Sequence, residues 1–188
     1  MKLILGSKSP RRREILSMVT ENFEVRVSNC DESYEENTPL CEVPKILAER
    51  KARAILQGSE EIVIGCDTVV VYENELMGKP CDKADAVRML KKLSGTTHEV
   101  ISGICVCQGG KSYSEAVTTY VTFRCLTDKE INAYVERYNP VDKAGAYGIQ
   151  EMAGAFVEKI DGDFYNVVGL PLCRLCEILK NEFSVELI

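Results

Sequence analysis

Ile62-Val63-Ile64-Gly65-Cys66-Asp67-Thr68-Val69-Val70-Val71 is a run of β-branched and apolar residues interrupted by a single charge. The run does not alternate between apolar and polar residues. Both faces of such a strand must be covered, which marks a central strand of an α/β fold. An unpaired carboxylate inside that strand carries a heavy desolvation cost. Asp67 therefore has two readings. Either it sits at the strand's end, bonded to nearby backbone N–H groups, or it faces the ligand crevice at the carboxyl edge of a sheet as a base or metal ligand.

The flanking chain supplies the rest of an α/β pattern. Upstream, residues 43–56 repeat with helical period and carry Leu47-Ala48-Glu49-Arg50-Lys51-Ala52. Lys2-Leu3-Ile4-Leu5 is a short apolar run halted by Gly6, a strand entering a loop. Ser9 suits an N-cap and Pro10 the first helical position. Ile15, Leu16 and Val19 repeat at helical spacing, so a helix is expected over 11–19. Residues 23–27 alternate like a strand, and an acidic loop, Asp31-Glu32-Ser33-Tyr34-Glu35-Glu36, follows.

Downstream, Asp82 or Asp85 opens a helix that runs through Leu93. Residues 100–107, 113–126 and 156–160 read as strands. Asp128 caps a helix to about Tyr138, and 170–183 is a final amphipathic helix. There is no repeat, linker or low-complexity tract. One mixed α/β domain over residues 1–188 is the expectation.

Composition narrows the function. The chain has 188 residues, 45% hydrophobic and 28% charged, with a formal net charge of −6. A general nucleic-acid binder carries a basic balance or a long basic stripe. Here the dense basic run is Arg11-Arg12-Arg13 alone, so any polyanion contact must be local. The nine cysteines are scattered, and one C-x-x-C occurs, Cys173-Arg174-Leu175-Cys176, without a second pair at zinc-finger spacing. On a helix those two sulfurs read as packing atoms, with a metal or redox role as the alternative. Free, mostly buried thiols fit a reducing cytosol. The apolar start, Met1 to Leu5, is too short for a signal peptide or a membrane span. These features predict a soluble cytoplasmic protein without membrane partners.

Ser7-Lys8-Ser9-Pro10-Arg11-Arg12 is a loop entering a helix N-terminus, where unpaired N–H groups and the helix dipole favour anions. Hydroxyls and guanidinium forks in that loop could cradle phosphate. Three arginines in the first turn oppose the dipole by ~0.3–1 kcal/mol each and so ask for an anion. Two other readings stay open: a capped helix with a solvated basic turn, or a phosphorylation or minor-groove element. His98, the lone histidine, could serve a Ser–His or Cys–His scheme or be an ordinary hydrogen-bonded side chain. Neither G-x-x-x-x-G-K-[ST] nor G-x-G-x-x-G is present, so phosphate-loop and dinucleotide-fold assignments have no support.

The motifs taken in order resemble the Maf family of nucleoside triphosphate pyrophosphatases. The N-terminal Ser7-Lys8-Ser9-Pro10-Arg11-Arg12 is similar to the family's signature. Leu47-Ala48 with Lys51-Ala52, Asp67-Thr68-Val69-Val70 and Gly78-Lys79-Pro80 follow. Leu93-Ser94-Gly95 with Thr97-His98-Glu99-Val100, Asp142-Lys143-Ala144-Gly145-Ala146-Tyr147-Gly148-Ile149-Gln150 and Tyr165-Asn166-Val167-Val168-Gly169-Leu170-Pro171 complete the set. The resemblance covers nearly the whole chain.

The resemblance implies a twisted mixed sheet flanked by helices with a cleft between two lobes, and members that often pair as homodimers. It implies Asp67 as the catalytic carboxylate and Ser7, Arg12, Glu32, Lys51 and Lys79 on the phosphate or metal side. Thr68 and Gln150 would help choose the base, in the branch that prefers thymidine and uridine triphosphates. Cys66, Thr96 and Glu151 depart from the family's frequent residues, and Glu151 puts a charge beside Gln150. The implied reaction is water attack at the α-phosphorus of dTTP or UTP, giving a nucleoside monophosphate and pyrophosphate. A carboxylate alone is a weak base for water, and a bound divalent cation narrows that gap. Mg²⁺ or Mn²⁺ held by Glu32 and Asp67 is therefore expected. The competing class is a nucleotide- or nucleic-acid-binding regulator of cell division and septum formation that does not turn over. Carboxylates clustered beside the basic loop would repel a nucleic-acid backbone and argue against stable nucleic-acid binding.

Overall fold

A computed structural model describes residues 2–188. Seven strands form one mixed sheet: β1 (Lys2–Gly6), β2 (Glu24–Val25), β3 (Glu61–Tyr72), β4 (Glu75–Met77), β5 (Thr97–Gln108), β6 (Lys111–Phe123) and β7 (Val157–Asp161). The order is β2-β1-β3-β5-β6-β7, and β4 pairs with β3 off that path. β1 runs parallel to both β2 and β3, whereas β4 is antiparallel to β3 and β7 antiparallel to β6. The helices are α1 (Pro10–Ser17), α2 (Val43–Ile55), α3 (Lys83–Leu93), α4 (Asp128–Tyr138), α5 (Phe164–Val168) and α6 (Leu172–Phe183). The α/β class read from the apolar run around Asp67 is the class observed.

Contacts divide the chain into two compact units. The first takes the chain as far as Thr68, together with Ser102–Val117 and Gly169–Ile188. The second comprises Val69–Ile101 and Thr118–Val168.

In the first unit, Ile62, Val63, Ile64 and Cys66 of β3 are fully buried, as a doubly covered strand requires. α2 lies against it at backbone contact. A Cβ on Gly65 would stand 2.1 Å from the Ala48 carbonyl oxygen and 2.9 Å from the Ala52 backbone nitrogen. Gly103 does the same for β5, where a Cβ would meet the Pro44 carbonyl oxygen at 2.1 Å. Two glycines thus seat one helix on two strands. α1 begins as its sequence predicts, with Ser9 as N-cap accepting from the Arg12 backbone and Pro10 in the first turn.

The second unit packs α3 and α4 around an aromatic core. Phe123, Tyr134, Tyr147 and Phe156 are all buried, with edge-to-face contacts linking them. Asp82 caps α3 and accepts from Asp85 N at 2.7 Å, so the first of the two expected openings is used. α4 corrects an expectation. Thr127 is its cap, in a capping box with Glu130, and Asp128 is the first helical residue.

Other differences have local causes. Only Glu24–Val25 of the 23–27 segment is a strand, an exposed edge paired on one side with β1. β4 escapes the sequence reading because its hairpin turns through Glu73 and Asn74, both in the left-handed region, with φ 50° and 61°. All nine cysteines are free, and only Cys66, Cys105 and Cys107 are buried, fewer than composition suggests. No described helix is long and apolar enough to cross a membrane.

Candidate active site

β3 leaves its buried stretch at Cys66, and the next residues are half-exposed. Asp67 is the first of them. Because Gly65 admits α2 at contact distance, Lys51 on that helix reaches across to Asp67, Nζ to Oδ1 at 2.5 Å. Glu32, from the acidic loop, approaches the same ammonium, its Oε1 at 3.0 Å. Two carboxylates therefore converge on one cation position. Burial disfavours the charged amine of Lys51, but the attraction and hydrogen bonding of Asp67 and Glu32 outweigh it and raise its pKa above the ordinary 10.5. Lys51 is thus held charged.

A second cluster fixes the backbone on both sides of Asp67. The Arg12 guanidinium donates through Nε to the Gly169 carbonyl at 2.7 Å and through one terminal nitrogen to the Cys66 carbonyl at 2.8 Å. That same nitrogen lies 3.3 Å from Ser7 Oγ, and the other donates to Thr68 Oγ1 at 3.0 Å. Arg12 thus grips the residues before and after Asp67. Its five N–H donors face four protein acceptors, which leaves little of the fork for a ligand. Arg12 therefore also braces the middle of β3 around Asp67.

Ser7 is buried, and its Oγ also accepts from the Ser9 backbone N–H at 3.2 Å, shaping the loop into α1. Thr68 Oγ1 lies 2.8 Å from Ser102 Oγ. Sequence reasoning does not reach Ser102, nor the carbonyl of Gly169. Gly169 has φ 128°, a left-handed conformation that favours glycine, and Arg12 Nε and Thr68 Oγ1 each lie 3.7 Å from where its Cβ would be. Its place in the Tyr165–Pro171 motif marks the residue, but nothing in the sequence assigns its carbonyl to Arg12.

The structure therefore brings Ser7, Arg12, Thr68, Asp67, Lys51 and Glu32 together in the first unit. Lys79 and Gln150 belong to the second unit. Lys79 follows Gly78, whose carbonyl accepts from Gly145 N at 3.1 Å. Gln150 lies in a turn closed by the Glu151 N–H on the Gly148 carbonyl at 3.0 Å. Both side chains are exposed.

His98 resolves to the ordinary reading. It is buried in the second unit, with Nε2 2.8 Å from Tyr147 Oη and its ring edge-on to Phe123 and Tyr147. Burial pushes its pKa down to about 4, so it is neutral and no serine or cysteine shares its hydrogen bond. Burial likewise pushes the Cys66 thiol up, away from a nucleophilic thiolate.

Among the described residues, no group of three or more His, Cys, Asp or Glu side chains is placed to bind a metal by itself. The Glu32 and Asp67 pair nonetheless suits a hard divalent cation. Mg²⁺ takes one or two carboxylates and completes its shell with water and substrate phosphate. Oxygens that already converge on the Lys51 ammonium are a donor set of that kind.

A family model described as "Maf-like protein" matches residues 2–182. Full-length relatives are similar throughout. The chain is 45% identical to the dTTP/UTP pyrophosphatase of Alkaliphilus metalliredigens, covering 100% of this chain and 99% of that protein. It is 46% identical to the dTTP/UTP pyrophosphatase of Clostridium novyi, over 95% and 96% of the two chains. Among solved structures, the Ham1 protein of Staphylococcus aureus aligns with a TM-score of 0.45 at 13% identity, over 65% of this chain and 72% of that one.

Proposed function

The chain belongs to the Maf-like protein family, and from that premise we propose that it is a nucleoside triphosphate pyrophosphatase acting on dTTP and UTP. The reaction is water attack at the α-phosphorus with release of a nucleoside monophosphate and pyrophosphate. The observation that carries the reading is the convergence of Asp67 and Glu32 on Lys51, at a point inside β3 that Arg12 braces from both sides.

The parts divide the work as follows. Asp67 orients the attacking water and accepts its proton, or holds the cation that activates it. Lys51, kept charged, stands where negative charge gathers on the phosphates during departure of pyrophosphate. Ser7 and the remaining donor capacity of Arg12 meet phosphate oxygens beside the N-terminus of α1. Lys79 contributes a further ammonium for the phosphates. Thr68 and Gln150 serve base choice, since a primary amide offers both a donor and an acceptor to the N3–H and a carbonyl of uracil or thymine. Mg²⁺ or Mn²⁺, held by Glu32 and Asp67, would lower the pKa of bound water and neutralise phosphate charge.

Chromatography of a UTP digest tests this reading. UMP with pyrophosphate is the expected pair. UDP with orthophosphate would refute cleavage at the α-phosphorus.

A further inference from the structure

Glu151 places a carboxylate next to Gln150, where it would repel a triphosphate if left bare. The structure shows it engaged within its own turn. Its Oε2 accepts from the buried Tyr134 hydroxyl at 2.9 Å, and its Oε1 lies 3.2 Å from Lys143 Nζ. Lys143, itself only 8% exposed, also holds Asp142 Oδ1 at 2.9 Å. The Tyr134 oxygen in turn accepts the Gly148 N–H at 3.0 Å. Burial, with the Glu151 hydrogen bond added, holds the Tyr134 phenol well above its usual pKa, so it remains a donor. One hydroxyl on α4 thus ties both ends of the Gly148–Glu151 turn. The turn is also packed shut: a Cβ on Gly148 would stand 3.0 Å from Lys143 Cε and 3.1 Å from Glu151 Cδ. Gln150 lies between those two anchored residues, exposed to solvent.

We propose that Glu151, with Tyr134 and Lys143, is a positioning device for base selection: it clamps the turn that presents Gln150 to the pyrimidine. The proposal rests on the reading that Gln150 contacts the base. Glu151 acts through Gln150, so its loss loosens base binding and leaves the phosphate chemistry in place. Lys143 offsets part of the negative charge there, since it is shared between Glu151 and Asp142.

Steady-state kinetics of the protein with UTP and with ATP test it, on the wild type, Glu151→Gly and Glu151→Gln. Glu151→Gly should raise the UTP KM about tenfold with kcat within about twofold, the pattern of lost uniform binding. Its preference for UTP over ATP in kcat/KM should fall by about the same factor, that of roughly one lost hydrogen bond. Glu151→Gln keeps an acceptor for Tyr134 and should recover most of the preference. Tyr134→Phe removes the hydroxyl that ties both ends of the turn, so it should lower the preference as Glu151→Gly does, and it carries the test if the glycine variant fails to fold. Unchanged UTP/ATP preference in Glu151→Gly and Tyr134→Phe, or an equal loss of kcat on both nucleotides, would overturn the proposal and leave the pyrophosphatase reading standing. A wild type that does not convert UTP to UMP and pyrophosphate would overturn both.

Discussion

Lys51 Nζ lies 2.5 Å from Asp67 Oδ1, and the two residues are brought together by a helix and a strand that touch at Gly65. The ammonium is one of the charges proposed to act on the phosphates, so Lys51→Met should fold and lose about 10² or more in kcat, the scale of removing one transition-state donor. The raised Lys51 pKa has a defined sign. A raised cation contributes stability that is present below its unfolded value of 10.5 and is lost as pH rises through the folded value. Lys51 should therefore cause no alkaline loss of activity or stability below about pH 10. An activity decline near pH 8 that vanishes in Lys51→Met would contradict this.

Gly65→Ala attacks the same relationship from the backbone. Its Cβ would collide with the Ala48 carbonyl, so α2 must lift from β3 and carry Lys51 away from Asp67. A loss of about 2–3 kcal/mol is expected from overpacking, together with lost turnover. Gly58, with nothing within 4 Å of a Cβ, provides the control. Calorimetry that finds Gly65→Ala as stable as Gly58→Ala would rule out the close helix–strand contact.

This contact also shows where the sequence is legible and where it is not. The helix carrying Lys51, the strand carrying Asp67 and the Ser9–Pro10 start of α1 follow from period, β-branching and capping chemistry within a few residues. That Lys51 meets Asp67 depends on a glycine that local patterns treat as a strand defect. Arg12's bonds to Cys66 and Gly169 span 54 and 157 residues, and no local rule anticipates them. The Glu73-Asn74 turn hides β4 because glutamate rarely adopts a left-handed φ. Exposure of Cys41, Cys81, Cys125 and Cys173 is decided by which surfaces the fold leaves open, which composition does not encode.

His98 gives a pH prediction of its own. Its folded pKa of about 4 lies below the ordinary 6.5, so the unfolded chain binds more protons between those values. Stability should fall as pH drops from 6.5 toward 4, with His98 accounting for roughly 3 kcal/mol at 1.36 kcal/mol per unit. His98→Gln keeps a polar partner for Tyr147 and cannot titrate, so its acid-side slope should be shallower. Denaturant titrations from pH 7 to 4 that give the two proteins the same slope would show that His98 is not the buried neutral imidazole described.

Base choice should follow Gln150. UTP and dTTP are expected to exceed ATP and GTP in kcat/KM under the same metal. Gln150→Ala should lower the UTP preference by about tenfold, the scale of one good hydrogen bond. Purine nucleotides winning in the wild type would remove Gln150 from that role.

The most direct test of the account is Asp67→Asn, assayed for UTP turnover across a Mn²⁺ titration. The amide keeps the shape of the side chain and removes its charge, so the fold should survive while kcat falls by 10² or more, the scale of a lost general base. If Asp67 holds the cation, the Mn²⁺ concentration for half-maximal rate should rise along with that fall. If it acts as base alone, the Mn²⁺ dependence should stay as kcat falls. A folded Asp67→Asn protein that turns over UTP at near the wild-type rate would contradict the account at its centre.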